Sequence, residues 1–212
     1  MSPASLLHRK TQARKKTTAT FFSHETAVID PGARIEGDVQ IWHFSHVMPG
    51  ARIGEGSKLG QNVFVDREAT IGKRVKIQNN VSIYRGVTLE DDVFVGPSVV
   101  FTNVLRPRSA FPKKIEDYDK TLVKCGATVG ANATIVCGIS IGECAFIGAG
   151  SVVTRDVPSF ALVMGVPARQ KGWVCRCGEK MTQKDGGEIT HCRKCQRSYS
   201  IRNSSCKMLH AS

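Results

Sequence analysis

Two groups of residues have types and spacings that could do chemistry. Cys175-x-Cys177 is followed, fourteen residues later, by Cys192-x2-Cys195. Paired thiolates on two turns are what a tetrahedral four-cysteine zinc site takes, and Gly186 and Gly187 would form the hairpin between them. The first pair has one intervening residue where two are usual, so His191 and Cys206 stand as substitute ligands. The expectation is a closed, structural zinc ion in a zinc-ribbon-like tail over residues 174–212. The second group is His43 and His46. Histidine is the usual general base, so both are candidates for proton transfer. His24 precedes the repeat described next and reads as a capping residue.

The elements that must carry these residues follow from a period of six. Stepping by six from Ile29 gives Ile29, Ile35, Ile41, Val47, Ile53, Leu59, Val65, Ile71, Ile77, Ile83, Leu89, Val95 and Phe101 without a polar residue. The frame returns, shifted, at Val123, Val129, Ile135, Ile141, Ile147 and Val153. Four residues after each of these comes a second restricted position, as at Ala33, Ser45, Ala51, Val63, Leu105, Ala127 and Ser151. A helix repeats at 3.6 and a strand at 2, so neither explains the pattern. A solenoid of short strands and corners does, with three units per coil. Nineteen units make about six coils of an all-β parallel β-helix. Gly54, Gly60, Gly72 and Gly96 recur at the second position, where a tight corner would use their backbone freedom.

One interruption, residues 102–122, holds two prolines and the basic residues Arg106, Arg108, Lys113, Lys114 and Lys120. A long loop in a compact solenoid is usually functional. In a regular prism it must project, and its obvious use is to wall a site on a neighbouring subunit. Flat prism faces packed about a threefold axis predict a homotrimer.

The segments IWHFSH (41–46), KIQNNVSIY (76–84), GVTLEDDVFVGPS (86–98), FTNV (101–104), GATVGANATIVCG (126–138), IGAGSVVTRDVP (147–158) and GVPARQKGW (165–173) resemble the nucleotide-linked 3-amino-sugar N-acetyltransferases. These are left-handed β-helix, hexapeptide-repeat acyltransferases acting on UDP-linked 2-acetamido-3-amino-glucuronate or on dTDP-linked 3-amino-3,6-dideoxyhexoses. The resemblance implies acetyl transfer from acetyl-CoA to a sugar 3-amino group, on the way to a surface polysaccharide such as lipopolysaccharide. It implies that Asn103 orients the amine while the CoA sulfur takes the proton, with His43 and His46 as alternative bases. It further implies sugar contacts at Asn79, Asn80 and Tyr84, with Arg106 and Arg108 against the diphosphate. CoA would lie beside Gly148, Ala149 and Gly150, its phosphates met by Arg169 and Lys171. Asn103 and the asparagine pair also have structural readings, as a loop cap and as a ladder supporting the corners. Relatives tend to carry Asn where Arg106 stands and an acidic residue where Arg85 stands, which leaves open whether the sugar is carboxylated or neutral.

Composition limits the remaining classes. The 212 residues carry a net charge of +12, with 30 Lys and Arg against 18 Asp and Glu. Residues 1–20 contribute +5, residues 21–170 +1 and residues 171–212 +6. A nearly neutral body argues against nucleic-acid binding by the whole chain, and nucleic acid is not an expected partner. No apolar run reaches the ~18–20 residues of a membrane span, and no secretory h-region precedes the repeat, so a reducing cytoplasm is expected. The organisation expected is a basic disordered arm over 1–22, the β-helix over 23–158, a cap over 159–173 and the tail. A basic, acid-free N-terminus also fits a transit peptide. Competing functions are another small acceptor, a catalytically silent scaffold, and a γ-type carbonic anhydrase, which would need three converging histidines.

Overall fold

A computed structural model describes residues 20–182 and 189–209. Residues 1–19 of the expected basic arm and the glycines 186 and 187 lie outside the described residues. From Phe22 the chain winds through three stacked parallel sheets, one per face of a prism. The first face runs from Phe22–Ser23 through Gln40–Ile41, Lys58–Leu59, Lys76–Ile77, Phe94–Val95, Thr128–Val129 and Phe146–Ile147 to Ala161–Met164. The second runs from Val28–Ile29 to Val152–Val153, and the third from Arg34–Ile35 to Ser140–Ile141. Phe22 registers with Gln40 and Lys58 with Lys76, steps of eighteen residues or three six-residue units per coil. The architecture is all-β, a left-handed parallel β-helix.

Six coils close between Phe22 and Ile141, a seventh closes through the bridge from Ile141 to Val157, and Ala161–Met164 begins an eighth. The period-six count stops short at both ends for a physical reason. Ser23 lacks the large apolar residue that marks a unit, and Val157 follows Val153 by four residues instead of six. The β-helix therefore extends past residue 158, into the segment expected to be only a cap.

Both restricted positions of each unit point inward. Ile41 to Phe101 along the first series are buried, and so are Val39, Ala51, Val63 and Val99 along the second. Each such Val, Leu or Ile contributes about 1.5–3 kcal/mol by leaving water. Leu105 breaks the second series because it stands exposed in the loop. Ser45 and Ser57 are buried without loss. Each Oγ donates to the carbonyl of Gly60 or Gly72 (2.9 and 2.8 Å) and accepts the N–H of Val63 or Val75.

The recurring glycines have a different cause from the expected one. Gly54, Gly60, Gly72 and Gly96 are not left-handed; a β-carbon on Gly54 would lie 2.5 Å from the carbonyl carbon of Gly72 in the next coil. They are required by close approach of stacked backbones. The left-handed residue of each corner comes two positions later, and Asp38, Asn62, Arg74, Asn80 and Asp92 hold it with φ between 54° and 60°.

At the C-terminal end, Gly165 O accepts the N–H of Val152, whose own carbonyl accepts from Ala168, so the GVPAR segment covers the open edge of the second face. Arg169–Val174 then turns back antiparallel on Ala161–Met164, and Lys180–Met181 adds to it. A separate antiparallel sheet follows, made of Ile189–His191, Ser198–Arg202 and Ser205–Met208.

Candidate active site and cysteine centre

The loop leaves after Phe101 and returns at Thr121, inside the expected limit of 122. Phe94 consequently registers with Thr128, thirty-four positions on, where regular coils step eighteen. Its base is pinned by Asp119. The Asp119 N–H donates to the carbonyl of Asn103 (3.2 Å), and its carboxylate accepts from the N–H of Leu105 (3.3 Å) and the thiol of Cys137 (3.6 Å). Thr102 Oγ1 accepts the N–H of Cys137. Asn103 is half-buried at this base, and its side-chain amide has no hydrogen-bond partner among the described residues. The loop turn is thus held by the Asn103 carbonyl, not by its side chain. Beyond the base the loop is exposed, Phe111 by 77%, together with Leu105 and Ile115. Arg106 and Arg108 lie on this exposed part.

The eighteen-residue register sorts the other candidates by corner. Arg85 stands one coil before Asn103 on the corner between the second and third faces, ion-paired with Glu68 at 2.7 Å. Tyr84 precedes it, its ring edge-on to Phe64, which in turn meets His46. His46 Nε2 lies 3.1 Å from the carboxylate of Asp30. His43, Asn79, Asn80 and the run Gly148, Ala149, Gly150 all stand on the corner between the first and second faces. There Asn79 Oδ1 accepts the N–H of Gln61 (2.9 Å), and Asn62 Nδ2 donates to Asn80 Oδ1 (3.1 Å), so the asparagine ladder is present. His43 stacks on His24 with centroids 3.5 Å apart, and His24 Nδ1 bonds Thr26. Arg169 and Arg155 line a cleft of about 230 Å³ at the C-terminal end, and Lys171 is exposed on the same strand as Arg169. Within one chain, then, Asn103 and Tyr84 sit on one corner and the asparagine pair and glycine run on another, with the second face between them. Sequence reasoning missed Asp119, which nothing in the repeat marks, and Trp42, Lys58 and Gln61, which the register would have placed beside Asn79.

The bacterial transferase hexapeptide family (six repeats) matches residues 24–67 and 68–103, and the hexapeptide repeat of succinyl-transferase matches residues 50–85 and 126–155. The chain thus carries hexapeptide repeats of the kind found in these transferases. It is 52% identical over 79 residues to dTDP-3-amino-3,6-dideoxy-alpha-D-galactopyranose 3-N-acetyltransferase of Aneurinibacillus thermoaerophilus, covering 37% of this chain and 41% of that one. A 2,3,4,5-tetrahydropyridine-2,6-dicarboxylate N-acetyltransferase of Staphylococcus aureus is 40% identical over 82 residues, 39% of this chain and 31% of that one. The chain therefore spans less than half the length of these curated relatives. Among solved structures, a hexapeptide-repeat acetyltransferase of Vibrio cholerae O1 biovar eltor complexed with acetyl coenzyme A superimposes with a TM-score of 0.50 at 28% identity. That match covers 58% of this chain and 70% of that one.

To this hexapeptide-repeat body the tail adds a cysteine centre. The Sγ atoms of Cys175, Cys177, Cys192 and Cys195 all lie within 4.8 Å of one another, with Cys175–Cys195 at 3.3 Å and Cys177–Cys192 at 3.6 Å. Four sulfurs at 2.3 Å around a tetrahedral zinc would be ~3.8 Å apart, so the donor set fits. The short Cys-x-Cys spacing is accommodated by a tight turn in which left-handed Gly178 lets Glu179 O accept the N–H of Cys175. The backbone N–H of Arg197 and the Cys175 thiol lower the Cys195 thiol to about 6, whereas burial pushes Cys175 up to about 12. Cys206 is buried apart from the cluster, which raises its thiol to about 11, and His191 is bonded to Ser198; neither joins the four. This is the only such group among the described residues, and the histidines do not form one. Tyr199 links the centre to the β-helix: its hydroxyl lies 3.0 Å from Cys175 Sγ and accepts the N–H of Arg176, and its ring meets Phe160 at 5.4 Å.

No helix among the described residues is long and apolar enough to cross a membrane.

Proposed function

We propose that this chain is an acetyl-CoA-dependent N-acetyltransferase acting on the 3-amino group of a UDP- or dTDP-linked amino sugar, in the assembly of a surface polysaccharide such as lipopolysaccharide. The observation that carries the proposal is the 52% identity with a dTDP-3-amino-sugar 3-N-acetyltransferase. The same relative favours dTDP over UDP.

The reaction needs a neutral amine aligned with the thioester, and orientation supplies most of the gain. The Asn103 carboxamide, unengaged among the described residues, accepts an N–H of the amine and aims its lone pair at the thioester carbon. The C–N bond forms, the C–S bond breaks, and the amine proton passes to the departing thiolate of CoA. His43 and His46 lie in the second coil and Asn103 in the fifth, ~14 Å apart along the axis at ~4.8 Å per coil. That separation supports Asn103 over either histidine.

The division of candidates between two corners supports a homotrimer in which a second-face interface joins Asn103 of one copy to the Asn79 corner of the next. The exposed Val28 and Val100 on that face, and Phe111 on the loop, are apolar surface for such packing. CoA would enter from the C-terminal end, beside Gly148, Ala149 and Gly150, with Arg169 and Lys171 at its phosphates. Cys175, Cys177, Cys192 and Cys195 would hold a structural zinc, which supplies folding energy to the tail and no catalytic step.

The test is release of CoA thiol with a panel of UDP- and dTDP-linked 3-amino sugars. Turnover with at least one is expected; release with none, by protein that binds acetyl-CoA, refutes the acceptor class.

A further inference from the structure

A pocket of about 340 Å³ opens on the corner between the first and second faces, lined by Trp42, His43, Lys58, Gln61, Gln78 and Asn79. One wall is aromatic. The Trp42 and His43 rings lie within 12° of parallel, and His43 is backed by His24 at 3.5 Å, which sets its orientation. Trp42 remains 41% exposed. The rest of the lining is one ammonium and three carboxamides, with Gly60 and Ile77. Asn79 Oδ1 is already taken by the N–H of Gln61, so its NH2 is what remains to donate to a ligand. An exposed aromatic ring stacks a heterocyclic base, carboxamides read its polar edge in both senses, and an ammonium neutralises a phosphate.

Axial position points the same way. The pocket spans the second to fourth coils, Asn103 lies in the fifth, and Gly148–Gly150 in the seventh. From the pocket's centre at Gln61 to the level of Asn103 is two coils, ~10 Å at ~4.8 Å each, a distance that a ribose and diphosphate can bridge. The glycine run lies two coils on the other side of that level. Two long ligands could then approach from opposite ends of the prism and meet at the level of Asn103, which the trimer proposed above brings to this corner from the neighbouring copy.

We propose that this pocket binds the nucleoside diphosphate of the acceptor, the base against Trp42 and His43 and a phosphate at Lys58. The inference rests on the amino-sugar reading above and deepens it by giving the nucleotide a site apart from that of CoA.

The experiment is calorimetric titration of the full chain with dTDP, UDP, thymidine and acetyl-CoA, with the oligomeric mass measured for each variant by light scattering. Wild type should bind one nucleoside diphosphate per chain. Trp42→Ala should raise its Kd about tenfold or more, as loss of a stacked base does, and Trp42→Phe should recover most of the affinity. Lys58→Ala should weaken dTDP but not thymidine. None should change the acetyl-CoA Kd. The proposal is overturned if nucleotide Kd is unchanged in Trp42→Ala and Lys58→Ala, or if it moves only in variants that lose the wild-type mass. If wild type binds acetyl-CoA but no nucleoside diphosphate, the nucleotide-linked acceptor falls and the pocket assignment with it.

Discussion

Replacing Gly54 by alanine tests why the repeat carries glycine at its second position. The added β-carbon would sit 2.5 Å from the carbonyl carbon of Gly72 and 2.8 Å from the backbone nitrogen of Lys73. Carbon atoms rest at ~3.5 Å or more, so the two coils must part by ~1 Å at that corner. The N–H of Gly54 donates to Ile71 O at 2.8 Å, and the same movement stretches that bond beyond useful length. Overpacking costs about 1–3 kcal/mol and the lost bond about 1, while alanine's stiffer unfolded chain returns about 0.4–1. The clash wins, with a net loss of about 2 kcal/mol. Gly56 is the control. Its φ is +70°, and an added β-carbon meets only Arg74 Cγ at 3.6 Å. Asn62 and Asn80 already occupy the equivalent corner position at φ of 56° and 60°. Gly56→Asn should therefore change stability by less than about 0.5 kcal/mol. Urea or thermal unfolding at one fixed protein concentration reads both, and about 2 kcal/mol lowers the midpoint by about 4–8 °C for a chain of this size. If Gly56→Asn proves the more damaging, glycine is serving corner conformation and the close-approach argument fails.

Asn103→Ala should lower turnover by about 10²–10³ with acetyl-CoA binding retained, measured by CoA release; near-wild-type turnover removes Asn103 from the mechanism. Ser57→Ala leaves the buried N–H of Val75 without its acceptor and should cost about 1–3 kcal/mol, whereas Thr121→Val, at a buried hydroxyl with no partner among the described residues, should be neutral or stabilising by about 1 kcal/mol. Equal unfolding midpoints for the two would contradict the hydrogen-bond assignments. Metal analysis should find one zinc per full chain and none in protein ending at residue 173; zinc in the truncated form would place the ion elsewhere.

The coil itself was legible because its core residues are local. Ile41, Leu59, Ile77 and Val95 each repeat the same instruction, and no long-range partner is needed to read it. The two Cys pairs were legible for the same reason, since each sits on its own turn. The glycine column misled because a one-dimensional pattern does not separate a residue needing unusual φ from one needing empty space. The clash partner of Gly54 is Gly72, eighteen residues away. Asp119 was invisible because its partners, Asn103, Leu105 and Cys137, meet it only when the loop closes.

By itself the sequence determined a six-residue β-solenoid with one long loop and a four-cysteine tail, since periodicity and spacing survive without coordinates. Three units per coil already implies which residues before the loop share a corner; the tertiary structure alone decided which residues after the loop join them. That depends on the number of residues per coil and on the sixteen-residue offset the loop introduces, seen in the step from Phe94 to Thr128. It set Gly148, Ala149 and Gly150 on the same corner as Asn79 and apart from Asn103. Stacking at ~4.8 Å per coil turns residues eighteen apart into neighbours, and that contact exists only once the chain is wound.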